Sequence, residues 1–440
     1  MDLKKINFAI FLILIFSICD VIGQEQKVFN SINEIWDFTE KNNHIYKNSS
    51  LQTQLAELSY KTAKVNAFNP RIPISVQTID NTKQQVSFLP GQAFGLPEGS
   101  YKEIAIGQQY LATFSVQPQF DIINLYNMKT ANIAKINQEL TNNQNIIQKL
   151  NHFDRLNVVY FGLLALNGQK IILDQNLALS KNILNITQNK YDEGLIRKQD
   201  LNEAQINYLN ILDKIEQANY SVRYQTQNLS LLLEVPMDPV LTENVWDFDT
   251  IAAVDVIHNQ LLPTNSKLQR QYYESELAAL KYQNFPILSF ISSFNWQNLS
   301  NDFFFSKKSS WIDYNYVGLK LSYDLPTTVN KYTNLKSKQL QYEIQKNNEI
   351  FAFKENEIRN NQMVIDLEKA ITQKEQQQKI YLLKKDSFEK NYDQYLENVL
   401  PLDKLLLSQM DMMNSRLALV TTLANIGLYK HKIELYNRVN

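Results

Sequence analysis

The sequence predicts a mostly α-helical chain that also carries strands for a membrane β-barrel, built as a duplicated unit of helix, strand pair and long helical hairpin. Leu201, Tyr208, Ile215, Val222 and Leu229 recur every seven residues, and so do Leu405, Met412, Leu419, Ile426 and Ile433, the first series displaced from Leu201 to Leu405. Three residues on, each heptad has a second seam position: Ala204, Ile211, Ala218, Gln225 and Leu232, against Ser408, Ser415, Thr422, Tyr429 and Tyr436. An a/d seam held over five heptads specifies coiled-coil packing, and its repetition makes the chain a tandem. Between the helical stretches lie paired alternating segments of about 10 residues, the length a tilted strand needs to cross a bilayer.

The elements follow in order. In residues 1–23, Lys4 and Lys5 precede an apolar run from Ile6 to Ile18, and Val21-Ile22-Gly23 before Gln24 offers a cleavage site, so a signal peptide and export are expected. The run is too short for a comfortable transmembrane helix. Cys19 is the sole cysteine, so the mature chain has no disulfide. The bulky Ile18 before it does not suit lipidation, where a small residue is expected.

The first repeat is placed at 24–233. Val28 to Phe68 should form short helices with Trp36 and Phe38 on the packed side. A strand pair follows at about 71–120: Ile72, Ile74 and Val76 alternate in one member, and Tyr110, Ala112, Phe114 and Val116 in the other. Pro90-Gly91 and Pro97-Glu98-Gly99 mark the joining loop. The long hairpin of 121–233 begins with a stretch to Lys190 that has no proline and only Gly162 and Gly168, enough for a helix of about 100 Å at 1.5 Å per residue. It turns at Tyr191-Asp192-Glu193-Gly194-Leu195.

Pro236, Pro239 and Pro263 break the pattern, which makes 234–263, with Trp246-Asp247-Phe248, the linker between repeats. The second repeat, 264–440, offers a helix, a strand pair at about 286–325 and a hairpin at about 329–438. Leu319, Leu321 and Tyr323 alternate there with Gly318, Lys320 and Ser322, and the pair is joined by Asn298 to Lys308 with its Phe303-Phe304-Phe305 run. Phe114-x-Val116-x-Pro118-x-Phe120 aligns with Leu319-x-Leu321-x-Tyr323-x-Leu325, so the strands belong to the duplication too. The second turn, Tyr395-Leu396-Glu397-Asn398-Val399, puts Asn398 where the first has Gly194, and these residue types best tolerate the left-handed backbone that ends a helix. Asp200 and Pro401 suit the helix starts that follow.

Composition excludes several classes. The formal net charge is −1 and 20% of residues are charged, which argues against nucleic acid. The 23 Tyr and 22 Phe are compatible with aromatic belts at a membrane surface. His44, His152, His258 and His431 are isolated, expected at solvated or tunnel-facing surfaces, and no metal-ligand spacing joins them. No phosphate-cradling glycine loop, nucleophile elbow or metalloprotease motif is present. Asp192-Glu193 and Asp200 with Glu203 are ordinary surface acids, and Lys307-Lys308 reads as a solvated loop tip. Neither an enzyme nor a cofactor is expected, and no metal.

Four strands cannot stand alone in lipid, because both sheet edges would expose unpaired backbone groups. They must close with copies of themselves, and three copies would give 12 strands, wider than a side-chain-filled barrel of about 8. Phe114, Val116, Leu319 and Leu321 then fall on the lipid face. At the turns, Leu195, Ile196, Val399 and Leu400 expose apolar groups that suit a partner site. Asp200 and Lys404, opposite in charge at repeat-equivalent positions, suit a weak gate between the hairpins, with Asp403 beside them.

The order of segments, the tip stretch Tyr191 to Leu212 with its copy Tyr395 to Arg416, and the strand-to-helix joint Gln117-Pro118-Gln119-Phe120-Asp121 resemble the TolC-type outer membrane efflux proteins over nearly all of the mature chain. The resemblance implies a homotrimer with a 12-stranded barrel in outer membrane lipid and a 12-helix tunnel in the periplasm, serving as the exit duct of a tripartite efflux or type I secretion system. It implies a periplasmic adaptor (membrane fusion) protein and an inner-membrane pump as partners, with Tyr191, Gly194, Leu195, Ile196, Tyr395, Asn398, Val399 and Leu400 at the adaptor-contacting tips. Tyr395 matches the family's tip-closing tyrosine, whereas its arginine-type partner is here Leu400. Where members often carry paired aspartates this chain has Lys404 and Leu407, with the acids Asp403 and Asp411 nearby but off the matching positions, so the resemblance does not carry over a cation-binding constriction. The alternative is a periplasmic coiled-coil adaptor or scaffold outside the membrane. Adaptors usually add Gly-rich β-domains, and 10 glycines fit that poorly.

Overall fold

The computed structural model describes residues 27–236, 238–249, 257, 259–324 and 329–438. The expected signal peptide with Cys19, His258, Leu325 at the end of the second expected strand pair, and 250–256 of the expected linker lie outside these residues. The elements are β1 (Val28–Phe29), α1 (Ile32–Asn42), α2 (His44–Asn66), β2 (Ile74–Asp80), β3 (Val86–Pro90), β4 (Tyr101–Ala105), β5 (Tyr110–Val116), β6 (Gln119–Ile123), α3 (Leu125–Asp192), α4 (Lys198–Leu233), β7 (Val240–Leu241), α5 (Leu261–Tyr282), β8 (Ile287–Ser300), β9 (Ser310–Ser322), α6 (Val329–Leu396) and α7 (Leu402–Arg438). The duplication is visible in lengths alone: α3 and α6 each have 68 residues, and α4 and α7 have 36 and 37.

The residues divide into two compact units, and each unit takes segments from both repeats. One unit comprises the described residues of Met1–Ser50, Asn145–Leu261 and Lys354–Asn440. Its core follows the heptads. In both series no a or d residue is exposed, and Leu201, Ala204, Ile211, Leu229, Leu405, Leu419, Ile426 and Ile433 are buried. Gly427 on α7 is there for close approach, since a Cβ would stand 2.5 Å from a ring carbon of Phe161 on α3. Trp36 of α1 is buried and donates its indole N–H to Asn157 of α3 at 2.9 Å, while Phe38 packs on Phe29 with ring centres 5.5 Å apart.

Helix α3 has the length and apolar composition of a membrane span, but over half of that apolar window is buried inside the protein. Leu156, Tyr160, Phe161, Leu163 and Leu164 supply this core. Within the linker, β7 pairs in parallel with β1, and a 3-10 turn at Val245–Asp249 buries Val245 and Phe248. Two of the three described histidines depart from the expected solvated positions. His152 is buried, its ring 6.0 Å from that of Tyr46, and burial lowers its pKa. His431 is wedged among Phe161, Phe248 and Trp36, because the α7 seam leaves an apolar slot there. His44 is exposed and pairs with Glu234.

The other unit comprises Leu51–Gln144 and Leu262–Phe353 and holds the main sheet. Strand β5 pairs antiparallel with β2 on one side and β8 on the other, and β9 pairs with β8. Strands β5 and β6 are one line interrupted at Gln117-Pro118, and both lie against β8. Proline cannot donate to a ladder, but its carbonyl can accept, and Pro118 takes the Ser292 N–H at 3.0 Å and the Ser292 hydroxyl at 2.8 Å. The sheet is therefore four-stranded, as the sequence implies. The first joining loop differs from the turn-rich connection expected, because it contains a second hairpin, β3 with β4, from Val86 to Ala105.

Candidate functional site

Two places are candidates for function, one in each compact unit. The first is the main sheet. Cross-strand register places Ile74 and Val76 of β2, Phe114 and Val116 of β5, Phe120 of β6, Leu288, Phe290, Phe294 and Trp296 of β8, and Val317, Leu319 and Leu321 of β9 on one face. The opposite face is richer in polar groups, with Ser75, Gln77, Thr113, Ser115, Ser289, Ser293, Asn295, Gln297, Tyr314, Tyr316 and Lys320 beside Ile79, Leu111, Ile291, Leu299 and Ile312, while Asp80, Ser292, Asp313 and Asn315 fall on the first face. A soluble sheet hides its apolar face, but here that face is open: Leu319 is 67% exposed, and Ile74, Val76, Phe114, Val317 and Leu321 are exposed as well. The four residues expected on the lipid face share it.

The polar face is satisfied internally, with Ser75 and Ser115 hydroxyls 2.6 Å apart and Asn295 donating to Ser293 at 2.9 Å. At the strand-to-helix joint, the buried Asp121 accepts from Ser289 at 2.7 Å, Asn124 at 2.8 Å and Asn69 at 3.3 Å. Asn124 in turn caps α3 by accepting the Asn127 N–H at 3.0 Å. The motif Gln117 to Asp121 thus ends a strand and starts a helix.

The second place is the pair of hairpin turns. Gly194 and Asn398 both have left-handed backbones, φ 73° and 61°. Each turn closes α-helix with the same bonds: Leu195 N–H to Lys190 C=O and Gly194 N–H to Tyr191 C=O, both 2.9 Å, against Val399 N–H to Gln394 C=O at 2.9 Å and Asn398 N–H to Tyr395 C=O at 3.2 Å. Between the turns lies a cleft of about 670 Å³, which Gly194, Leu195, Ile196, Asn398, Val399 and Leu400 help line. Val399 is 70% exposed and Leu195 is exposed, while Ile196 and Leu400 are half-buried.

Tyr395 also lines the cleft and is 3% exposed. Thr187 donates to Ile183 C=O at 2.8 Å, so the Tyr395 hydroxyl, 2.9 Å away, donates to Thr187. Lys190 donates to the Tyr395 carbonyl and lies 4.0 Å above the centre of its ring. Burial lowers the Lys190 pKa and raises that of Tyr395. Sequence reasoning missed Thr187 and Lys190. Their signal was a mismatch between the repeats, which put Asn391 and Gln394 at the equivalent positions.

The expected pairing of Asp200 with Lys404 is not formed within the chain. Asp200 is spent on its own helix start, accepting the Arg197 N–H at 3.0 Å and lying 3.6 Å from the Arg197 guanidinium. Lys404 and Asp403 are exposed in the first turn of α7, with no ion pair to either among the described residues. Tyr191 is half-buried with Lys198 5.2 Å above its ring. Among the described residues, no group of three or more His, Cys, Asp or Glu is placed to hold a metal.

No protein-family model matches the sequence, and no curated protein does. Solved structures do match. The outer membrane protein VceC of Vibrio cholerae superposes with a TM-score of 0.72 at 12% identity, over 92% of this chain and 96% of that one. CusC, described through its transmembrane channel formation, gives 0.74 at 12% identity over 93% and 92%. The outer membrane channel CmeC of Campylobacter jejuni gives 0.68 at 13% identity over 93% and 84%. Over more than nine-tenths of its length, the chain has the fold of the TolC-type outer membrane efflux proteins.

Proposed function

We propose that the chain is one third of a trimeric exit duct in the outer membrane, most of it in the periplasm, passing small molecules or proteins delivered by an inner-membrane pump through a periplasmic adaptor. The observation that carries this reading is the two-faced sheet. Its apolar face needs lipid, its polar face suits a wet lumen, and β2 and β9 each have a partner on one side only among the described residues. An edge strand in lipid must find backbone partners, and copies of the same chain supply them. Three copies bring four strands each to a closed barrel of 12. A scaffold kept in water would have no use for an open face holding Ile74, Val76, Leu319 and Leu321. The work is conduction, with no bond made or broken.

Replacing Leu319 with Arg tests the wall directly. A charge at the bilayer midplane costs about 2–4 kcal/mol, so the variant should lose trimer insertion in outer-membrane fractions. Full insertion of Leu319→Arg would count against a lipid face. The tips are the proposed adaptor contact, where Leu195 and Val399 follow their left-handed residues and stand exposed. Changing both to Asp should stop export while membrane-bound trimers persist, and normal export from that variant would remove the docking role.

A further inference from the structure

The loop from Asn301 to Ser309, between β8 and β9, is folded over the apolar side of the sheet. Tyr110 lies on that face at the end of β5, with its ring 5.5 Å from Phe303 and 5.0 Å from Phe304. Trp311, paired across the strands with Asn298 on the same face, lies 6.1 Å from Phe305. Asn298 is a polar side chain on an apolar face, 1% exposed, and the loop accounts for it: its carbonyl oxygen accepts the Phe305 N–H at 3.1 Å, and its amide donates to Ser309 at 2.7 Å.

Phe305 is held at φ 55°, in the left-handed region, which a bulky side chain occupies only when its surroundings enforce it. The result of that ordering is unusual for a chain in water. Phe303 stays 63% exposed and Phe305 is exposed too. Lys307 and Lys308 follow immediately, both exposed and in no ion pair among the described residues. The one acid of the loop, Asp302, accepts from Ser306 at 3.4 Å. Rings that stand at the edge of an apolar face, followed by two cations, have the composition of a headgroup anchor: rings rest at the interface, and cations are drawn to anionic phosphates.

We propose that this loop is a lipid anchor, with Phe303 and Phe305 entering the boundary of the nearest leaflet and Lys307 and Lys308 engaging anionic headgroups there. The proposal rests on the reading of the sheet as a membrane wall and adds a lipid class to it. The test uses the full chain in its native oligomeric form, reconstituted in phosphatidylcholine vesicles with or without phosphatidylglycerol. A nitroxide is placed on Ser306→Cys in the loop or on Leu319→Cys in the wall, and its access to oxygen and to a water-soluble nickel chelate is measured.

With phosphatidylglycerol, both labels should be reached by oxygen in preference to nickel. Lys307→Gln with Lys308→Gln should lower the ratio of immersed to free loop about fivefold for each lysine, with Leu319→Cys unchanged. A label at 306 open to nickel in both vesicles, while that at 319 stays in lipid, overturns the anchor and leaves the wall standing. Equal immersion at 306 with and without phosphatidylglycerol overturns the headgroup contact of the lysines. A label at 319 open to nickel overturns the wall, and the anchor with it.

Discussion

The two hairpin turns share a backbone and differ in what their side chains do. Both end a 68-residue helix on a left-handed residue, with matching hydrogen bonds. Yet Tyr191 at the first is half-buried against Lys198, whereas Tyr395 at the second is enclosed by Thr187 and Lys190 of the first hairpin. After the turns, Asp200 accepts the Arg197 N–H at its own helix start, while its counterpart Lys404 is exposed behind Pro401. The two copies share a chain path and differ as a socket and a plug. The second tyrosine is held by Thr187 and the buried Lys190, whereas an exposed ion pair between Asp200 and Lys404 would be worth only about 0–1 kcal/mol.

The largest contrast should come from the tyrosines. Tyr395→Ala should cost about 3–5 kcal/mol of unfolding free energy, as large aromatic truncations in cores do, and Tyr191→Ala much less. Equal losses in denaturant titrations would erase the distinction between plug and socket.

Lys190→Met should come next, at about 1–3 kcal/mol, because it removes a charged donor from the Tyr395 carbonyl, which keeps only the Asn398 N–H, and Gln394→Met should be nearly silent. The pair also predicts an alkaline signature. Between the lowered pKa of folded Lys190 and its ordinary 10.5, the unfolded chain holds a proton the folded chain has lost, so stability rises with pH in that window. Raising the Tyr395 pKa does the opposite: above its ordinary 10.0 the folded chain keeps a proton the unfolded one sheds, and stability falls as pH rises. Lys190→Met should remove the rise and Tyr395→Phe the fall, read from melting midpoints across that range.

The smallest contrast concerns the helix starts. Asp200→Ala should cost about 1 kcal/mol through the lost cap, and Lys404→Ala close to nothing. A loss from Lys404→Ala equal to that from Asp200→Ala would restore the idea of a latch between them.

These differences mark where sequence reasoning stops. Heptads, turn residues and strand alternation are local periodicities, so the seams from Leu201 and Leu405, the left-handed Gly194 and Asn398, and the shared face of Phe114 and Leu319 could be read directly. The hairpin from Val86 to Ala105 was hidden by the turn residues Pro90-Gly91, of which Pro90 ends its first strand and Gly91 begins its connection. His152 and His431 were misplaced because a lone polar residue says nothing of the apolar slot around it. Thr187 and Lys190 meet Tyr395 only through tertiary packing, and charge complementarity between repeats pointed instead to Asp200 and Lys404, ignoring the local bond to Arg197 that Asp200 makes first.

The open apolar face of the sheet is proposed to be a wall shared among three chains in lipid. Native mass measurement of the protein extracted from the outer-membrane fraction tests it most directly. Particles of three chains that conduct ions across a planar bilayer are expected. Recovery as a soluble periplasmic monomer, or as membrane particles of any other stoichiometry, would contradict it.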